Sequence, residues 1–236
     1  MKYLRYFVLL SAGALLAVAS NLAEAQIYWR ADAGYSWSMN ADIHDKNFTP
    51  GGLGICGDLA CSTPGKLSDA GGSGLLGAGV GWHLSQNFRV DGTATYRGWY
   101  SLDETDGAGT HFKSDVKSWS VMANGYYDFP LAWGGSYVGA GIGWAQNKVA
   151  SGTASNSGIT FDAPGGTSSG FAWSLMAGVG VPVSSTLIAD FGLRYIDLGK
   201  VETDAGNISL GGVPVYNYSG AEGNARAWEV TVGLRF

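Results

Sequence analysis

The chain has 236 residues, a formal net charge of −5 and only 14% charged residues, yet it contains 38 glycines, nine tryptophans, twelve tyrosines and nine phenylalanines. An acidic balance argues against nucleic-acid binding, and an aromatic-rich composition argues against disorder. This length and composition favour one all-β domain.

The first 25 residues have the features of a secretory signal peptide. Lys2 and Arg5 precede an apolar run from Phe7 to Ala19, and Ala23-Glu24-Ala25 forms an A-x-A cleavage site. The apolar run is too short to be a membrane-spanning helix. We therefore expect an exported protein whose mature chain begins at Gln26.

Eight segments of the mature chain alternate apolar side chains with polar or small ones, and this period of two predicts β-strands. Their approximate bounds are 27–38, 73–84, 88–102, 116–128, 137–145, 171–181, 187–198 and 225–236. In the last segment the apolar row is Trp228, Val230, Val232, Leu234 and Phe236. The apolar rows carry no charge, as expected of positions that face lipid, where Arg or Lys at the midplane costs about 2 to 4 kcal/mol.

The connections alternate between long and short. The long ones span about 39–71, 103–114, 150–169 and 199–224. Outer-membrane barrels have short periplasmic turns and long extracellular loops, and an even number of strands lets the first pair with the last. The sequence thus predicts an all-β, up-and-down, eight-stranded antiparallel transmembrane β-barrel over residues 26–236, with four long extracellular loops.

Large aromatic residues cluster at the strand ends, as in the interfacial girdles of membrane barrels. One predicted girdle holds Trp29, Trp82, Phe88, Tyr127, Phe129, Trp133 and Phe236. The other holds Tyr35, Trp37, Tyr100, Trp119, Trp144, Phe171, Trp173, Tyr195 and Trp228. The alternative, a soluble sandwich with its apolar rows inward, would not confine aromatics to strand ends.

Several segments resemble a known family. They are SYVGAGIGWA (136–145), FAWSLMAGVG (171–180), LIADFGLRYIDLG (187–199) and the terminal GLRF, and they are similar to opacity-type outer-membrane β-barrel proteins of Gram-negative bacteria, relatives of the OmpA transmembrane domain. This family often ends in aromatic-x-Phe, whereas Leu234 stands at the antepenultimate position here.

The resemblance implies a location in the outer membrane, surrounded by its lipid and by lipopolysaccharide. It implies periplasmic chaperones and the barrel-assembly machinery as partners, with the apolar row from Trp228 to Phe236 as an assembly signal. It implies no catalytic residue and no cofactor.

The inner rows carry charges of both signs. The nine residues are Arg30, Asp32, Arg89, Asp91, Arg97, Asp190, Arg194, Glu229 and Arg235. In an eight-stranded barrel the third strand faces the seventh, so we expect Arg89, Asp91 and Arg97 to face Asp190 and Arg194. The first strand neighbours the eighth, which sets Arg30 and Asp32 beside Glu229 and Arg235. Because unpaired buried charges are costly, we expect a paired network that fills the lumen.

The alternative for these charges is a polar permeation path, which would make the protein a narrow porin for small solutes. Inward glycines on the second, fifth and sixth strands are interpreted as room for the long arginine side chains. A phosphate-binding loop would need a helix after the glycines, and none is predicted.

Both cysteines, Cys56 and Cys61, lie in the first long loop. In an oxidising compartment they favour a disulfide over a metal site. His44, Asp42 and Asp45 lie in the same loop, but their spacing matches no standard zinc pattern.

An enzymatic alternative comes from eight-stranded barrels that modify lipid A, which need a serine activated by a histidine. His111 and Ser101 in the second loop would have to converge. We instead expect a non-enzymatic protein with a structural and surface-interaction role, whose barrel is an anchor and whose loops are the contact surface for any host or surface ligand.

Overall fold

The computed structural model describes residues 26–38, 41–42, 44–45, 66–67, 72–105, 111–131, 134–156, 159–218 and 220–236. The predicted signal peptide, Cys56 and Cys61 lie outside these residues. Within them, no helix is long and apolar enough to cross a membrane.

Eight long strands dominate the described part of the chain. They are β1 (Gln26–Ser38), β2 (Gly72–His83), β3 (Phe88–Thr105), β4 (His111–Leu131), β5 (Gly134–Val149), β6 (Gly166–Pro182), β7 (Ile188–Glu202) and β8 (Ala221–Arg235). Each pairs antiparallel with the next in sequence, and β1 pairs with β8, with Ala31 opposite Leu234.

The closing seam extends to the last residue. The Trp29 amide donates to the Phe236 carbonyl at 2.7 Å, and the Phe236 amide donates to the Trp29 carbonyl at 3.0 Å. The strands therefore form a closed ring in which each barrel strand has two neighbours, which leaves no barrel edge open for pairing. The predicted eight-stranded antiparallel barrel is confirmed.

The segments predicted as the third and fourth long loops contain further strands. These are Gly152–Asn156, Ile159–Ala163, Gly206–Leu210 and Val213–Tyr218, which form two hairpins. The first hairpin pairs with the extended end of β4, and the second joins the first through Phe161 and Leu210. In the second hairpin, Gly211 and Gly212 have positive φ angles of 59° and 82°, which a two-residue type I′ turn requires. We call these two hairpins the distal sheet.

Two girdles of outward aromatic residues surround the barrel, one at each end, and the outward side chains between them are apolar. At the end with the short turns, Trp29 and Phe236 are each 58% exposed, and at the other end Trp144 is 52% exposed and Phe171 60% exposed. The prediction for Tyr100 was wrong, because this residue is only 6% exposed and points inward. A β-bulge between Arg97 and Tyr100 adds a residue to β3 and reverses its alternation from there on.

Candidate functional site in the barrel interior

The inner faces of the strands bring polar side chains into the barrel interior. Arg97 and Glu229 have no exposed side-chain area, and Arg89, Asp91 and Asp190 are almost as deeply buried. Arg30, Asp32, Arg194 and Arg235 have side chains between 9% and 12% exposed. Alternation alone accounts for these positions, because every one of them is in the row opposite the apolar residues of its strand.

Glu229 is the centre of the upper part of the interior, toward the long connections. Its Oε1 accepts a hydrogen bond from Arg97 Nε at 2.6 Å, and its Oε2 accepts one from Arg194 Nε. Ser36 donates to the same carboxylate at 3.0 Å, and Tyr100 donates to Ser36 at 2.7 Å. A carboxylate between two guanidinium groups thus joins strands β1, β3, β7 and β8 across the lumen.

Asp91 is the centre of the lower part. It accepts from Arg30 Nη1 at 2.9 Å, from Asn124 Nδ2 at 2.7 Å, and from the hydroxyls of Tyr28 and Tyr126 at 3.2 and 3.3 Å. Arg30 also forms a bidentate pair with Asp32, through Nε and Nη2 at 2.9 and 2.8 Å. Charge-assisted bonds of this kind are shorter and stronger than neutral ones.

Asp128 belongs to this network, although the sequence did not single it out. Arg89 Nε lies 2.9 Å from its Oδ2, and the Arg89 guanidinium lies 3.9 Å from the Tyr126 ring centroid. Asp128 has the inward parity of Asn124 and Tyr126, which is the signal that could have found it. With Asp128 included, the interior ion pairs contain five arginines and five carboxylates, so their charges balance. The residues are Arg30, Arg89, Arg97, Arg194 and Arg235 with Asp32, Asp91, Asp128, Asp190 and Glu229.

The direct ion pairs connect residues that the expectation of facing strands did not specify. Arg89, Asp91 and Arg97 make no direct ion pair with Asp190 or Arg194 among the described contacts; Arg97 and Arg194 meet through Glu229 instead. Asp190 pairs with Arg235 at 3.1 Å on the neighbouring strand. The tilt and stagger of the strands decide which residues lie at the same height in a barrel. The alternation of side chains along a strand does not reveal the tilt or the stagger.

The inward glycines mainly accommodate aromatic and amide side chains, which corrects the expectation that they make room for arginines. A Cβ on Gly81 would lie 2.3 Å from the Tyr28 ring, and one on Gly141 would lie 2.1 Å from Asn124 Oδ1. A Cβ on Gly178 would lie 2.5 Å from the Tyr137 ring. Arginine is the neighbour in fewer cases, as at Gly79, where Arg30 Cγ would be 3.2 Å away.

An apolar cluster lies beyond Glu229, toward the long connections. Its members are Met122, Ala145, Ala172, Ile196, Leu198 and Ala227. Next to it, β7 has a bulge between Asp197 and Lys200, where Asn147 donates to the carbonyls of Leu198 and Lys200 at 3.0 Å each. Between this cluster and the short turns, the interior is filled by the polar networks of Glu229 and Asp91. At the level of the cluster, apolar side chains fill it.

The pairing of β3 with β4 separates the two residues on which the enzymatic alternative depends. In the pairing of β3 with β4, His111 is opposite Thr105 and Ser101 is opposite Asp115. His111 and Ser101 are therefore four positions apart along the ladder, or about 13 Å. No group of three or more His, Cys, Asp or Glu side chains suited to a metal ion occurs in the described part of the chain. His44 and Asp45 pair through their backbone with Glu222 and Ala221, and their side chains lie outside the description.

Comparison with known proteins gives a family match over almost the whole chain. A family model described as outer membrane protein beta-barrel domain matches residues 7–236. Outer membrane protein PagN of Salmonella typhimurium is 28% identical over 147 residues, which are 54% of this chain and 59% of PagN. The match thus spans about three fifths of that relative's length.

One solved structure shares this architecture. The crystal structure of Neisserial surface protein A (NspA) superimposes with a TM-score of 0.50 at 16% identity, covering 89% of this chain and 97% of NspA. Ail, the attachment invasion locus protein of Yersinia pestis, superimposes with a TM-score of 0.41 at 12% identity, covering 89% of this chain and 98% of Ail. The likeness to NspA extends to the fold alone.

Proposed function

The chain belongs to the family of outer membrane protein β-barrel domains and is located in the Gram-negative outer membrane, and from this premise we propose that its barrel is a closed anchor whose long connections form a contact surface outside the cell. In this proposal the short turns face the periplasm. Ligands on host cells or other surfaces would meet the distal sheet.

The filling of the interior supports an anchor rather than a narrow porin. Arg97, Glu229 and Arg194 join opposite walls of the barrel, and their guanidinium and carboxylate groups are hydrogen-bonded to one another. An eight-stranded barrel has an interior just wide enough for side chains to fill. A solute would have to separate these buried ions, each of which costs several kcal/mol when it is left without its partner.

The distal sheet supports a role in surface contact. Its two hairpins continue the hydrogen-bonded ladder of β4 beyond the barrel, so they present an ordered surface. Exposed apolar residues occur there, with Leu210 39% and Val213 63% exposed. Binding residues are often displayed in this way on connections held by a rigid scaffold.

The remaining partners follow from the location. Outer-membrane lipid and lipopolysaccharide would surround the outward rows, and periplasmic chaperones and the barrel-assembly machinery would deliver and insert the chain.

The test is an adhesion assay in a non-adherent Gram-negative laboratory strain that produces the protein. One variant replaces residues 152–163 and 206–218 with short turns, and the control carries Ser184→Ala and Ser185→Ala in a short turn at the opposite end. At equal surface levels, we expect wild type and control to raise attachment to an epithelial monolayer and the trimmed variant to lose this gain. Equal attachment by the trimmed variant would contradict the proposed role.

A further inference from the structure

The described outward-facing charges of the barrel strands lie at the end with the long connections, in two groups on different sides of the barrel. On β7 and β8, Arg226 pairs with Asp197 at 3.1 Å and Lys200 approaches Glu222 at 3.7 Å. Each of these two contacts joins a positive group to a negative one. The second group, on β4 and β5, is organised differently.

Lys117 on β4 and Lys148 on β5 are direct cross-strand neighbours. Both have outward parity, shared with Trp119 on β4 and Trp144 on β5, which are 42% and 52% exposed. Directly opposed residues have Cβ atoms about 4.5 to 5.5 Å apart, and like charges at this distance destabilise the pair of strands. Lys113 and Asp115 have the same outward parity at the two preceding positions of this face of β4.

The residues next to this pair form layers across β4, β5 and β6. The lysines share their row with Thr167, which is opposite Lys148. In the next row toward the barrel centre, Trp119 Nε1 donates to Gln146 Oε1 at 2.8 Å, and Ser169 is opposite Gln146. The row after that is apolar, with Val121 opposite Trp144 and Phe171 on its other side, exposed by 49%, 52% and 60%.

From the long connections toward the barrel centre, the first row is cationic, the second forms hydrogen bonds and the third is apolar, with about 7 Å between successive rows. This order matches an amphiphile whose phosphate is attached to a sugar and whose sugar carries acyl chains. The outward aromatic rings mark the membrane–water interface, so the lysine pair, one row beyond Trp119 and two rows beyond Trp144, lies at the level of the phosphates. A phosphate between the two ammonium groups would turn their repulsion into two charge-assisted hydrogen bonds.

We propose that Lys117 and Lys148 bind a phosphate of lipid A, the phosphorylated glycolipid of the outer leaflet, while Gln146, Thr167 and Ser169 contact its sugar and Trp144 and Phe171 its acyl chains. The proposal rests on the orientation given under the proposed function. It does not involve the distal sheet.

The test is native mass spectrometry of the refolded mature protein in detergent micelles, titrated with bisphosphorylated lipid A. The double variant Lys117→Gln with Lys148→Gln should bind about thirtyfold more weakly, since each of the two lysines near an anionic group contributes about 1 kcal/mol. The control removes two cations on the other side of the barrel, by Lys200→Gln with Arg226→Gln, and should bind as wild type does. Heat-modifiable migration in gels verifies that every variant is folded.

Three further ligands identify what is bound. Dephosphorylated lipid A should bind the wild-type protein as weakly as bisphosphorylated lipid A binds the double variant. Phosphatidylglycerol and inorganic phosphate, each at the same concentration as bisphosphorylated lipid A, should not displace it from the wild-type protein. Equal binding by the double variant, equal loss in the control, or displacement by either competitor would overturn the proposal. A failed adhesion assay with normal lipid A binding would overturn the proposed surface role alone.

Discussion

Arg97 and Glu229 meet across the barrel interior, with 2.6 Å between Nε and Oε1 and no exposed area on either side chain. Arg97 lies on β3 and Glu229 on β8, with β2 and β1 between them around the wall. The contact therefore links strands that share no ladder. Arg194 binds the same carboxylate from β7, so one side chain connects three parts of the wall.

The first prediction concerns Glu229. Glu229→Ala leaves Arg97 and Arg194 without their shared counter-ion, and we expect the free energy of unfolding to fall by about 3 to 5 kcal/mol. Urea titration of the refolded barrel, followed by tryptophan fluorescence, measures the change. Glu222→Ala is the control on the same strand, because a pair with exposed Lys200 contributes about 0 to 1 kcal/mol. Equal losses in the two variants would show that the interior ion pairs of Glu229 stabilise the barrel no more than the exposed pair of Glu222 does.

A second prediction concerns Asp190, which has one ionic partner in the described contacts, Arg235 at 3.1 Å. Asp190→Ala should lower thermal stability, though by less than Glu229→Ala, because one arginine rather than two loses its carboxylate. A double-mutant cycle with Arg235→Ala should give a coupling of about 0.5 to 3 kcal/mol. Additive effects of the two changes would mean that the pair is not coupled.

The sequence predicted the inward position of these charges because strand alternation needs only local information. It did not predict their partners, which depend on how far each strand is staggered against its neighbours. The bulge before Tyr100 shows a related limit, since one extra residue reverses a face and nothing in the local pattern marks it. The glycine pair at 211–212 was a usable hairpin signal, but it lay in a segment assigned to a loop by its composition.

The third prediction concerns Phe236, whose backbone closes the seam with Trp29 while its side chain is 58% exposed on the outward face. Deleting Phe236, or changing Phe236→Asp, should reduce the amount of heat-modifiable barrel in outer-membrane fractions, because the row Trp228, Val230, Val232, Leu234 and Phe236 is the expected assembly signal. Phe236→Leu keeps the row apolar and should assemble closer to wild type. Unchanged levels after deletion would remove Phe236 from that signal.

The fourth prediction concerns Cys56 and Cys61, which we expect to form a disulfide in the first long loop. Intact mass after alkylation without reductant should show no added label, and reduction before alkylation should add two. Labelling of both thiols in the unreduced protein would exclude the bond. Closing so short a loop contributes about 2 kcal/mol of local order by the chain-entropy estimate, so the barrel itself should fold without it.

The most direct measurement of the central claim, a closed lumen, is single-channel recording of the purified wild-type protein in planar lipid bilayers. Because Arg97, Glu229 and Arg194 join opposite walls and an apolar cluster lies beyond them, we expect insertion to give little or no conductance. Stable, regular open steps from the wild-type protein would contradict a closed anchor and would establish the narrow porin in its place.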